Sequence, residues 1–83
     1  MRVTVPGNIP PQVAALVAQG LTPAIAWRRH LGHTVEELAM KASMSADAYA
    51  RLESQARLRG AEAWTLASAL GIWVKQLGDR RGI

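Results

Sequence analysis

Between residues 34 and 53, TVEELAMKASMSADAYARLE, apolar positions recur at helical spacing in two short blocks with a polar break between them. Thr34 suits a helix N-cap with Glu37 three residues on, a capping box in which each side chain takes one of the backbone donors a helix start leaves over. Leu38, Ala39 and Ala42 then share one face. Ser43 and Met44 make a turn, and Ser45 caps a second helix that carries Tyr49 and Leu52 inward. The spacing predicts a helix-turn-helix. Upstream, Pro10 and Pro11 suit the first turn of a helix through residues 12–19, which sets Val13, Leu16 and Val17 on one exposed stripe and stops at Gly20. Thr22 caps the next helix, with Pro23 at its first position, Ala24, Trp27 and Leu31 along its inner stripe, and Gly32 as its stop. Downstream, residues 61–70 form a helix with Ala63, Leu66, Ala67 and Leu70 inward, closed by Gly71. Residues 73–77 add one further turn.

Outside these blocks the periodicity lapses. Residues 1–9, with Pro6 and Gly7, read as a mobile extended arm with a brief strand at 3–5. Residues 54–60, SQARLRG, are a polar loop and the densest basic spot. The predicted organisation is an arm over 1–9, one helical domain over 10–78, and a basic tail over 79–83.

Composition narrows the function. Eighty-three residues make one domain, and a chain so short buries only about 60% of the surface its unfolded form exposes, so a second copy would help its stability. The net charge of +4 and pI near 10.8 favour polyanionic partners, nucleic acid before an anionic membrane surface. There is no cysteine, hence no disulfide and no thiolate metal site. The apolar runs over 13–18 and 64–74 are too short to span a bilayer and no secretory signal is visible, so the expectation is a cytoplasmic protein without a membrane partner.

Trp27-Arg28, Gly32, Thr34, Glu37-Leu38-Ala39, Ala42, Ser45, Glu53, Ala67 and Ala69-Leu70-Gly71-Ile72 together resemble the XRE family over roughly residues 21–77. The resemblance implies an all-α, compact five- to six-helix lambda-repressor-like helix-turn-helix domain. Residues 9–31, especially TPAIAWRRHLG, further resemble small antitoxin-type transcriptional regulators. The implied activity is transcriptional repression by a homodimer on double-stranded DNA, with a cognate toxin as a further partner. The resemblance also implies a structural ion pair between Arg28 and Glu53, which would tie the first helix of the family's domain to the recognition helix. Three positions depart from the pattern in polar chemistry. Val35 stands where the family places a phosphate-touching Gln, Ala46 where its Gln reads adenine, and His33 where it buries a Leu. Ser43 replaces the turn glycine.

With Tyr49 and Leu52 inward, Ala46, Asp47, Ala50, Arg51 and Ser54 face outward. The candidate base contacts are Arg51, the only long cation there and able to fork onto guanine, Asp47 towards cytosine N4, and Ala46 by position. Asp47 can equally serve the helix dipole or repel phosphate. Thr34, Ser45, Ser54, Gln55, Arg57 and Arg59 are candidate phosphate contacts, the arginines because this loop borders the groove in family members. Lys41 lies outside this set, and Arg2, Arg80 and Arg81 sit on the chain ends, as minor-groove arms or solubilising charge. Trp27 belongs to the core. Val13, Leu16, Val17, Trp64 and Trp73 are the candidate dimer or partner surface, against the alternative of shielding a small core.

His30 and His33, a surface and a core histidine, have no neighbouring carboxylate or cysteine in sequence, so no metal is expected. No cofactor motif appears. Glu36 and Glu37 are adjacent and point apart on a helix, no glycine-rich loop precedes Lys-Ser or Lys-Thr, and Ser43, Ser45 and Ser54 lack a positioned base, so catalysis is not expected. The rival to a repressor is a protein-interaction module, a toxin neutraliser or adaptor that kept the fold and lost base reading.

Overall fold

A computed structural model describes residues 9–55 and 57–77. Residues 1–8 of the arm predicted over 1–9, with its strand and Arg2, and the tail with Arg80 and Arg81 lie outside the described residues. Five α-helices follow in order: α1 (Pro11–Ala18), α2 (Pro23–Leu31), α3 (Val35–Lys41), α4 (Ala46–Glu53) and α5 (Gly60–Leu70), then a 3-10 turn (Val74–Leu77). No strand occurs among the described residues.

Local chemistry accounts for the boundaries. Thr22, Thr34 and Ser45 each accept a backbone N–H three residues on, at 3.2, 3.1 and 3.1 Å, and so satisfy a donor that the first helical turn cannot. The capping box at α3 is complete, since Thr34 N–H donates to Glu37 Oε1 at 2.8 Å. A related bond starts α5, where Arg59 N–H donates to Glu62 Oε1 at 2.9 Å.

Four helices end in one way. A backbone N–H reaches the carbonyl five residues back, from Leu21 to Leu16, His33 to Arg28, Met44 to Ala39 and Ile72 to Ala67. This closure puts the preceding residue at positive φ. Gly20, Gly32 and Gly71 hold three of those positions; the fourth is Ser43, at φ 58°. The turn predicted over 43–44 therefore forms with a serine in glycine's place.

α1 packs on α2 and α3 on α4, while α5 touches α2, α3 and the 3-10 turn. Val13, Ala24, Ala26, Trp27, Leu38, Ala39, Tyr49, Leu52, Leu66, Ala67, Ala69, Leu70 and Leu77 form one core. The radius of gyration, 12.0 Å, matches the roughly 12 Å of a compact chain of this length. Side-chain placement departs from the predicted stripes at three points. Val13 is 1% exposed and a core residue, and Leu16 packs against the core, so the stripe on α1 faces inward and only Val17 remains at the surface, 38% exposed. Leu31, the last residue of α2, is 40% exposed, whereas Ala26 is buried outside the predicted stripe because α2 packs against both α1 and α5. Ile9, assigned to the arm, packs against the core.

Candidate nucleic-acid interface

Three contacts from α2 hold α3 and α4 in place. The Thr22 hydroxyl, besides capping α2, donates to the carbonyl of Glu53 at the end of α4. Arg28 Nε donates to Glu53 Oε1 at 2.9 Å, with both side chains largely buried. Arg28 Nη1 also reaches the His33 carbonyl, at 3.4 Å, just before the α3 cap. One guanidinium thus touches the start of α3 and the end of α4. The buried Glu53 carboxylate has its countercharge on α2, without which its desolvation would be uncompensated.

Tyr49 adds a constraint beneath α4. The ring is fully buried, and its hydroxyl has no hydrogen-bond partner among the described residues. Burial, reinforced by the Glu53 charge and opposed by Arg28, pushes the phenol up to about 12.

With Tyr49, Leu52 and Glu53 buried, α4 presents an arc of about 140°, at 100° per residue, carrying Ala46, Ala50, Ser54, Asp47 and Arg51. Asp47 and Arg51 are exposed, and Ala46 and Ala50 partly so. Arg51 forms no ion pair among the described residues, not even with Asp47 one turn before it. Its fork is free to meet a ligand. Arg57 and Arg59 are exposed in the segment that leads into α5, and Gln55 is exposed at the end of α4. Lys41 is exposed at the end of α3.

The hydroxyls divide into two kinds. Those of Thr34 and Ser45 act as acceptors in their caps and keep their O–H to donate outward. Ser54 instead donates to the Ala50 carbonyl at 2.7 Å, within its own helix. The helix starts also carry carboxylates: Glu36 and Glu37 stand in the first turn of α3 and Asp47 in that of α4. The Thr34 amide holds the Glu37 carboxyl below the usual carboxylate range, helped by the nearby His33. The stretch from α3 to the start of α5 thus carries the exposed arginines Arg51, Arg57 and Arg59 together with three carboxylates at its helix starts.

Other predicted residues lie apart from this surface. His33 is partly exposed rather than core, and Glu37, four residues on, sets its Oε1 within 3.5 Å of Nδ1, so this histidine does have a carboxylate neighbour. His30 is exposed and meets Trp27 edge-on, ring centroids 6.0 Å apart. No group of three or more potential metal ligands exists among the described residues. Trp64 and Trp73 are 65% and 60% exposed. An open apolar depression of about 270 Å³ is lined by Ile9, Val13, Ala14, Val17, Pro23, Gln76 and Leu77, with nothing from α3 or α4. No helix among the described residues is long and apolar enough to cross a membrane.

Two contacts had no sequence signal. Thr22 meets Glu53 across 31 positions, and the Trp27 indole donates to the Gln76 carbonyl across 49. Both partners are backbone carbonyls, which every residue has. No protein-family model, curated protein or solved structure matches the chain.

Proposed function

We propose that this chain is a DNA-binding transcriptional repressor of the lambda-repressor-like type, with α3 and α4 as its helix-turn-helix and α4 entering the major groove. The observation that carries the reading is Arg51, an arginine without an ion pair among the described residues, on the exposed arc of a helix whose C-terminal end is anchored from α2, with Arg57 and Arg59 in the segment that follows. Arg51 reads guanine; Arg57, Arg59, Gln55, Thr34 and Ser45 position the backbone. The protein acts as a dimer on a palindromic site with half-sites about 34 Å apart. The sequence likeness of residues 9–31 to antitoxins supports a narrower form, in which the protein represses its own operon and binds a toxin.

Titration against the promoter of its own gene tests this. A shift at low salt that weakens with added salt supports it, and no shift even at low salt overturns it. Arg51→Ala relaxes discrimination at one guanine by about 1 to 3 kcal/mol, whereas Arg57→Ala weakens all sequences alike and lowers the salt slope by about 1.

The carboxylates at the starts of α3 and α4 favour a second reading, an interaction module in which this surface meets a protein. In that case an unrelated small protein co-purifies from the native host, and no duplex shifts at any salt concentration.

A further inference from the structure

We infer that the apolar depression between α1 and the 3-10 turn is a docking groove for an acidic amphipathic helix of a partner protein. The groove goes beyond the proposed function, since neither α3 nor α4 lines it. α1 contributes Val13, Ala14 and Val17, α2 its first residue, Pro23, and the turn Leu77. Because a cavity of about 150 Å³ holds a benzene ring, the roughly 270 Å³ here takes an aromatic side chain or two aliphatic ones.

The turn carries the apolar surface outward. Side chains three apart eclipse in a 3-10 helix, so Val74 stands over Leu77. Trp73, whose carbonyl accepts the Gln76 N–H at 2.9 Å, stands likewise over Gln76. Trp73 and Val74 are both exposed. Two bonds pin the turn itself: the Trp27 indole donates to the Gln76 carbonyl, and the Trp73 N–H donates to the Gln76 side-chain oxygen at 2.9 Å. A wall held in this way needs little ordering when a ligand arrives, which lowers the cost of association.

Charge selects the occupant. Residues 9–34 and 63–77 contain no Asp or Glu, so the three elements around the depression have none, while Arg29 on α2 and Lys75 on the turn are exposed. The acidic side chains of the described residues, Glu36, Glu37, Asp47, Glu53 and Glu62, all stand on α3, α4 and α5, and Glu53, which touches α2, is neutralised by Arg28. A ligand with carboxylates around an apolar face therefore meets attraction at this groove and no like charge. A second copy, at +4, would set Arg29 and Lys75 of both copies against one another in a two-fold pair. The chain's own ends bring cations as well, Arg2 in residues 1–8 and Arg80 with Arg81 against Asp79 in residues 78–83. The groove also selects a helix over an extended segment. No strand occurs among the described residues, so there is no sheet edge to pair with, and a helix satisfies its own backbone over an apolar lining.

Titration of the isotope-labelled full chain with a synthetic helical peptide tests the groove through amide chemical shifts. The peptide carries Leu at i, i+3, i+4 and i+7 and Glu or Ala elsewhere. The shifts are expected on α1, the start of α2 and the turn, with a dissociation constant on the order of 100 μM. The same peptide with Lys for Glu binds about tenfold more weakly or not at all. Ala14→Glu, at an exposed position that the fold tolerates, abolishes binding, and Trp73→Ala weakens it by about tenfold, whereas Arg51→Ala and Trp64→Ala leave it unchanged. Equal affinity for the Lys peptide, shifts centred on α4 or α5, binding that survives Ala14→Glu, or no shift at about 1 mM peptide each overturn the inference. Two further results assign the groove elsewhere and overturn it too. A mass above 9.0 kDa without peptide that returns to the monomer's in Ala14→Glu makes it a contact between copies. A gain in peptide affinity when Val3→Ser and Val5→Ser are combined makes residues 1–8 its occupant. No DNA is present, so failure here leaves the duplex titration to judge the DNA reading separately.

Discussion

Ser43 and Tyr49 are the two residues most at odds with their surroundings, and each yields a measurable consequence. Ser43 sits at φ 58°, where a Cβ is disfavoured, in the same closure that uses glycine at the ends of α1, α2 and α5. Ser43→Gly should raise stability by about 0.5 to 1 kcal/mol in chemical denaturation, because relief of strain outweighs the added freedom of the unfolded chain. Tyr49→Phe should leave stability unchanged or raise it by about 1 kcal/mol, since it removes a buried hydroxyl with no partner among the described residues and keeps the ring. Tyr49 is the only tyrosine, so its ionisation can be followed directly by absorbance. Its folded value of about 12 exceeds the unfolded value of about 10, so folding favours the neutral phenol. That contribution is fully present below pH 10 and is lost as pH rises from 10 through 12, so stability should fall over that window in the natural protein and stay flatter in Tyr49→Phe.

At the scale of elements, α2 acts as the anchor for the two helices that follow. Arg28→Ala should destabilise the fold by about 2 to 4 kcal/mol, because it leaves the Glu53 carboxylate buried and unpaired; replacing both partners, as Arg28→Met with Glu53→Leu, should cost less than the single change. Thr22→Ala should cost about 1 to 2 kcal/mol through loss of both the α2 cap and the bond to the Glu53 carbonyl, and Thr22→Ser, which retains a hydroxyl, should recover most of it. Thermal unfolding of the four variants checks both. Helix boundaries were legible in the sequence wherever Thr, Ser, Pro or Gly acted on backbone groups a few positions away. The α1 stripe was legible as a stripe and misread in direction: Val13 and Leu16 face inward because α1 lies along α2, and spacing alone does not say which way an apolar face turns.

For the whole molecule, the candidate interface was legible residue by residue and illegible as a field. Arg51 and Asp47 were assigned outward positions from the burial of Tyr49 and Leu52 alone, since a helix face follows from a 3.6-residue period. The setting of three carboxylates at the helix starts, against Arg51, Arg57 and Arg59, depends on how α3, α4 and the following segment come together. If the mixed field allows DNA docking, Asp47→Asn should tighten binding to duplexes of any sequence several-fold at low salt, an effect that fades as salt screens it; fluorescence anisotropy on two unrelated duplexes measures this. An unchanged affinity would place Asp47 away from the phosphates.

Helix starts, stops and number followed from the chain alone, because capping boxes, N-terminal prolines and left-handed terminal residues act within five positions on groups whose identity is written locally. The direction of α1, the burial of Ala26, the reach of Thr22 to Glu53 and of Trp27 to Gln76, and the Tyr49 hydroxyl's lack of a partner among the described residues were decided by packing, which joins residues 31 to 49 positions apart and takes its acceptors from the backbone, where the sequence carries no mark.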